Sequence, residues 1–279
     1  MRFVYLAFAF LLFLISGSSV MAKQVVRSHP GCTGGGKEAQ ELFNLGRDYS
    51  YGINGMPYDR DRAVKLYRES FELGNPKAGI NLGLFLRMAY AEEPGERERL
   101  DLMLGYFQKA IDMGCPDAYH HLAECYDNGW GVARSEATAR RLIKKGAEAG
   151  SFACMMAVGA ILDSDGKPEE AKVWLQRALD GGFGPAADIL ELIYFAEGNL
   201  EKEIQVLRQG ARMGNRSSLI SLSNIYKDGD RQPKDQEYAD CFRKLAKSIN
   251  TKLPPPMIDN LDELCPPRPV VPYTRPESK

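Results

Sequence analysis

The sequence repeats itself every 32 to 40 residues, and few folds accommodate such a period. Taking Glu41, Ala78, Ala118, Ala153, Ala186 and Ser218 as equivalent starts, the spacings are 37, 40, 35, 33 and 32 residues. Each start opens a stretch such as DAYHHLAECYDNGWGV or AADILELIYFAEG, with an apolar residue four positions on and usually a tyrosine or aliphatic four beyond. A second stretch follows each, among them RDRAVKLYRESFELG and SEATARRLIKKGAEAG, and its apolar residues recur at three and four positions, as in an amphipathic helix. Gly74, Gly114, Gly150, Gly182 and Gly214 stand where the second helix must stop. Pro76, Pro116 and Pro185 follow, tolerated in the first turn of the next helix because its N–H is unpaired anyway. Alanines such as Ala63, Ala110, Ala139 and Ala178 mark close helix crossings. One such pair cannot bury both its apolar faces, so neighbours must stack. The pattern predicts an all-α chain, a right-handed α-solenoid of about six helix-turn-helix repeats over residues 39–250.

YDNGWGVARSEATARRLIKKGAEAG, Tyr126 to Gly150, resembles the Sel-one-like branch of the tetratricopeptide-type repeats. That branch has a tyrosine, a Gly-x-Gly-Val loop (here Gly129, Gly131 and Val132) and an alanine-rich helix ending in A-E-x-G. DRDRAVKLYRESFELGNPKA, Asp59 to Ala78, resembles the same pattern. The loop is missing from the fifth and sixth repeats, and the second carries an insertion, EEPGERER, from Glu92 to Arg99. Some members staple each repeat with an internal disulfide, but the cysteine spacing here does not reproduce that arrangement.

The N-terminus suggests export. Arg2, an apolar run of 13 residues from Phe3 to Ile15, and the small residues up to Ala22 compose a signal peptide over 1–22, with cleavage before Lys23. Thirteen apolar residues fall short of the roughly 20 needed to span a bilayer, so no stable membrane insertion is expected after cleavage. Export is expected to place the chain in an oxidising compartment, and its net charge of -1 gives no reason to expect nucleic acid. Six cysteines in an oxidising compartment form an even set. Cys241 with Cys265 is the leading pair, because it would tie down the tail; Cys115 with Cys154 comes next, both lying near starts of successive repeats. Cys115 with Cys125 is disfavoured, since two positions nine or ten apart along one helix stand about 14 Å apart.

Between the signal and the first repeat helix, residues 23–38 form a flexible lead containing GCTGGGKEAQ. Gly31, Gly36 and Lys37 imitate a phosphate-binding loop, but Glu38 stands where a serine or threonine would hold magnesium. At the other end, residues 251–279 are a proline-rich tail, and its Met257, Ile258, Leu261 and Leu264 suit packing on the last repeat.

No catalytic constellation emerges. His121 with Cys125, and His120 with Glu124, share helix faces, but two ligands do not close a metal site. Asp163 and Asp165 are spaced like the start of a calcium loop, yet Gly166 comes too early and no glutamate closes it. No G-x-S-x-G elbow occurs. Neither metal nor cofactor is expected, and Trp130 and Trp174 are read as packing residues.

What remains is surface. The resemblance implies that the first helix of each pair lines a concave face, through its third, seventh, tenth and eleventh positions. There stand Phe43, Arg47, Tyr51, Arg87, His120, Glu124, Asp127, Asp188 and Phe195, a mixture of aromatics and charges suited to binding a protein partner. Leu192 and Ile220 fall on the same positions, as do Ile80, Leu84 and Met155, with core packing an equal alternative for Ile80, Leu84, Met155 and Ile220. The repeats, signal peptide and CPPRPVVPYTRP segment together are similar to the architecture of periplasmic immunity proteins found beside type VI secretion toxins. That resemblance implies a protein that occludes a secreted antibacterial toxin, with a phospholipase as one candidate. The alternatives are a general envelope scaffold or regulatory adaptor, and an envelope-polymer hydrolase, disfavoured by the missing acid–base pair.

Overall fold

The structure is a computed structural model, and it describes residues 32, 34–92, 97–249 and 257–270. The signal-peptide expectation for 1–22 and the segment 271–279 lie outside these residues. Among the described residues there are thirteen α-helices and no strand. Twelve form six successive pairs. They are α1 (Gly36–Tyr51) with α2 (Arg60–Glu72), α3 (Pro76–Glu92) with α4 (Arg97–Asp112), and α5 (Ala118–Asn128) with α6 (Glu136–Glu148). Then come α7 (Phe152–Ser164) with α8 (Pro168–Asp180), α9 (Ala186–Ala196) with α10 (Leu200–Arg212), and α11 (Arg216–Asp228) with α12 (Gln236–Ser248). A final turn, α13, spans Leu261–Leu264.

Local chemistry explains the helix ends. Asp59, Ser135, Asn199 and Asp235 each accept a hydrogen bond from a backbone N–H in the first turn of α2, α6, α10 and α12. Pro76 and Pro168 open α3 and α8. The five glycines after the second helices all adopt positive φ, from +70° at Gly214 to +103° at Gly150, where a β-carbon would be strained.

The described residues divide into two compact units, one ending at Val158 and one beginning at Gly159. In the first unit, consecutive helices from α1 to α6 pack in order. One cluster gathers Tyr49, Tyr67 and Leu82; another joins Met103, Phe107 and Leu122 to Cys32 and Cys115. Ser70 Oγ donates to the Ala39 carbonyl at 2.6 Å inside the α1–α2 contact, supplying a partner for a buried hydroxyl.

The second unit packs α9 against α8, α10 against α9, and α12 against α11, around Leu207, Leu222, Tyr226 and Phe242. Leu261 and Cys265 of the tail are fully buried in that cluster. Arg208 closes the cover. Its guanidinium, nearly buried, donates to Tyr238 Oη, to Asp262 and to the Cys265 carbonyl. Arg212 also pairs with Asp262, and Ile258 N–H donates to the Arg212 carbonyl at 2.7 Å.

Two disulfides are present, Cys241–Cys265 and Cys32–Cys115. The second replaces the candidate pair Cys115–Cys154: Cys154 is a buried free thiol facing Gly146, as Cys125 is another. The physical reason lies in the glycines of the lead. A β-carbon on Gly34 would stand 2.5 Å from the Gly74 carbonyl oxygen, and one on Gly35 would stand 2.4 Å from that of Leu73. Only a glycine run lets this backbone press onto the end of α2, and the path leaves Cys32 buried with its Cα 4.3 Å from that of Cys115. The lead read as flexible over 23–38 is therefore held at Cys32, and helix α1 begins at Gly36.

Crosslinking across 83 residues restricts the unfolded chain strongly. Replacing Cys32 and Cys115 together by serine is expected to destabilise the first unit by about 2–5 kcal/mol, read as a lower denaturant midpoint. Arg208→Met should lower the stability of the second unit by about 2–3 kcal/mol, because charge-assisted bonds to the tail are lost. The same denaturant titration, with limited proteolysis reporting release of 257–270, checks it.

Candidate protein-binding surface

The face expected to bind a partner is built from first helices. On the first unit, the structure brings Arg87 of α3 together with His120 and Glu124 of α5. Arg87 Nη1 donates to Glu124 Oε2 at 2.9 Å, His121 Nδ1 lies 3.2 Å from the same oxygen, and His120 Nε2 lies 3.9 Å from Oε1. The 37-residue separation of Arg87 and Glu124 is three short of the 40-residue spacing between these two repeats, so stacking sets the tenth counted position of α3 beside the seventh of α5. Arg87 also lies over the Trp130 ring at 5.1 Å, which gives that tryptophan a contact with the predicted face as well as a packing role. His121 stacks on Phe107 with centroids 5.5 Å apart.

Burial pushes the Glu124 carboxyl up, but the His121 hydrogen bond and the charges of His120 and Arg87 outweigh it and hold the group well below the usual range. Burial lowers His120, against the pull of Glu124. Burial and then Glu124 push the Cys125 thiol up to about 12, and burial does the same to Cys154, so neither is poised as a nucleophile. The Cys32, Cys115 and Asp117 side chains approach one another closely, but the two sulfurs are bonded to each other and cannot ligate a metal. His121 is already engaged by Glu124 and Cys125 is buried and protonated, so these two do not present paired ligands.

The remaining sites of the first unit serve packing in part. Phe43 tilts against Tyr67 at 5.5 Å, and Arg47 pairs with the adjacent Asp48 at 3.0 Å. Tyr51 is part-buried, and its hydroxyl is raised by that burial against Arg47. Asp127 gives its carbonyl to Arg134 Nε at 2.7 Å. Ile80 and Met155 are buried, which assigns them to the core, while Leu84 packs against the Phe107 cluster.

On the second unit, Asp188 of α9 accepts from Asn215 Nδ2 at 2.8 Å and lies 3.5 Å from Ser218 Oγ, so it joins α9 to α11 rather than facing outward. Leu192 and Phe195 are different. They are 61% and 56% exposed on α9, and Ile220 on α11 is 37% exposed. The Arg231 guanidinium lies 4.5 Å from the Phe195 ring and pairs with the buried Glu203 carboxylate. These two partners escaped the sequence reading: Arg231 lies in a loop and Glu203 in a second helix, neither on the counted positions.

An open groove of about 440 Å³ lies elsewhere on the first unit, along α2, α3 and α4. The pattern of Arg60, Val64 and Arg68 at intervals of four was its only sequence signal.

A family profile, the Sel1 repeat, matches residues 42–75, 116–151 and 155–183. The chain carries Sel1 repeats. The matched spans are the pairs α1–α2, α5–α6 and most of α7–α8, and the same pairing continues in α3–α4, α9–α10 and α11–α12 outside them. No curated protein sequence matches the chain. Among solved structures it is similar to immunity protein Pa5087 from Pseudomonas aeruginosa, with 20% identity, TM-score 0.68, and coverage of 86% of this chain and 94% of that one. Immunity protein PA5088 from the same organism gives 19% identity, TM-score 0.65, and 88% and 96% coverage. A Sel1 repeat protein from Oxalobacter formigenes gives 21% identity, TM-score 0.57, and 75% and 85% coverage. At these identities the likeness is one of fold.

Burial raises Asp188 to about 7, against the hydrogen bonds from Asn215 and Ser218 and with help from Glu191. The unfolded carboxyl ionises near pH 4, so between about pH 4 and pH 7 Asp188 is more protonated in the fold than in the unfolded chain, and its own contribution to stability falls as pH rises. Asp188→Asn keeps the acceptor for Asn215 without the charge. Thermal denaturation is expected to show a higher Tm than wild type near neutral pH and a smaller difference near about pH 4.

Proposed function

We propose that the chain is an exported protein-binding module without enzymatic activity, a periplasmic immunity protein that binds and neutralises an antibacterial effector of type VI secretion. The observation that carries this reading is the exposure of Leu192, Phe195 and Ile220 on consecutive first helices. Large apolar side chains left in water on one face, with the Arg231–Glu203 pair beside them, match the anchor-and-rim composition of protein interfaces. The signal-like N-terminus and the two disulfides support an oxidising, exported setting. The fold shared with two immunity proteins favours a toxin as the partner over an envelope scaffold's many ligands. The candidate first-unit contacts are Phe43, Arg47, Tyr51, Arg87, His120, Glu124 and Asp127, and Asp188 joins α9 to α11 on the second unit.

The test is titration calorimetry of the mature chain against the toxin encoded beside its gene, with phospholipase activity assayed first. A one-to-one complex of nanomolar Kd is expected, weakened at least about a hundredfold by Leu192→Arg with Phe195→Arg. Micromolar binding spread over several envelope proteins, unaffected by these changes, would overturn the proposal in favour of a scaffold.

A further inference from the structure

The two disulfides differ in how solvent reaches them. Cys32 and Cys115 are both fully buried in the first unit. In the second unit Cys265 is fully buried too, but Cys241 on α12 is part-exposed. The tail surface beside it is open. Leu264, whose carbonyl lies 3.1 Å from Cys241 Sγ, is 47% exposed, and Pro266 and Pro267 are exposed beyond Cys265. Thiol–disulfide exchange requires a thiolate to reach one sulfur, so access decides which bridge reacts.

The tail that this bridge holds buries little of its own. Of residues 257–270, only Leu261 and Cys265 are buried. Asp262, which accepts from both Arg208 and Arg212, is 46% exposed at its side chain, so those ion pairs are open to water. Arg268 pairs with Asp235 at 3.4 Å from an equally open position. A covalent bond across 24 residues therefore supplies a large share of the hold.

We propose that Cys241–Cys265 is a thiol–disulfide exchange site for a dithiol reductant, and that its reduction unfastens the 257–270 cover from α10 and α12. A thiolate of the reductant attacks Cys241 Sγ, the sulfur–sulfur bond breaks, and its electron pair leaves on Cys265 Sγ. The second thiol of the reductant then attacks the mixed disulfide and releases Cys241. The reductant is oxidised to its own disulfide, two electrons pass to the cystine, and the two protons of the dithiol end on Cys241 and Cys265. The buried free thiols Cys125 and Cys154 take no part. On opening, Leu261 and Cys265 leave the cluster of Leu207, Tyr238 and Phe242, and Arg208 loses Asp262 and the Cys265 carbonyl. The last repeat then has an apolar face without its cover. Nothing in this device depends on which partner Leu192 and Phe195 meet.

A time course of the full mature chain in reduced dithiothreitol, without denaturant, tests it. Samples are quenched with acid, alkylated and digested, and mass spectrometry reports which cysteines were paired. Cys241 and Cys265 are expected to become alkylated at least about tenfold faster than Cys32 and Cys115. The amides of Ile258, Leu261 and Cys265, hydrogen-bonded in the oxidised chain, should exchange hydrogen at least about tenfold faster after reduction and slow again on reoxidation. Exchange in α8 and α9 should not change, which separates release of the tail from global unfolding. Cys241→Ser with Cys265→Ser should give the fast tail exchange without any reductant; should this variant not fold, the wild-type time course decides alone. Equal reduction of the two bridges, tail amides that stay slow after reduction, or equal acceleration in α8 and α9 overturns the proposal.

Discussion

A β-carbon on Gly83 would stand 2.4 Å from the Phe107 ring, and one on Gly210 would stand 2.4 Å from Ser218 Oγ and 2.7 Å from the Ala187 β-carbon. Such close approaches, glycine or alanine on one helix against a ring or small side chain on the next, are what the rest of the structure depends on. They let helices of 11 to 17 residues contact along their length, so that each apolar face is covered by the neighbouring helix. Ala63, Ala110, Ala178 and Ala211 are fully buried for the same reason. Enlarging any one would push apart a stack in which each helix contacts mainly its neighbours.

A stack has ends, and ends expose apolar faces. The chain answers this differently at each. At the beginning, a glycine run lies against the turn after α2 and a disulfide joins Cys32 to Cys115 in the turn between α4 and α5. At the far end, a proline-rich segment that cannot continue the helical pattern returns over α10 and α12, fixed by Cys241–Cys265 and by the Arg208 guanidinium. Both devices use a disulfide, and the tail adds the charged contacts of Arg208 and Arg212 with Asp262.

Stacking also creates the polar arrangement of the first unit. Successive first helices come side by side, which puts Arg87 against Glu124 and the histidines around one carboxylate. Part-buried charges of this kind cost desolvation and stabilise only when partnered, and here Arg87 and His121 both reach the Glu124 carboxylate. Leu192, Phe195 and Ile220 on α9 and α11 stay exposed instead, and that is the physical ground for the proposal that a partner covers them. Asp188, although it sits on the same counted positions, is drawn inward by Asn215 because its carboxyl is short.

The sequence by itself determined the helix pairs, their ends and their stacking, because periodicity, capping residues and terminal glycines are local signals. It also marked which face of each first helix to inspect, and it singled out Cys241 and Cys265. Only the tertiary structure decided the rest. The partner of Cys115 is 83 residues away and depends on how the lead folds back, which no spacing encodes. Whether a counted position points inward, like Ile80, or stays in water, like Leu192, depends on which neighbouring helix covers it. The groove on the first unit combines residues from three helices and exists only once α2, α3 and α4 are brought together.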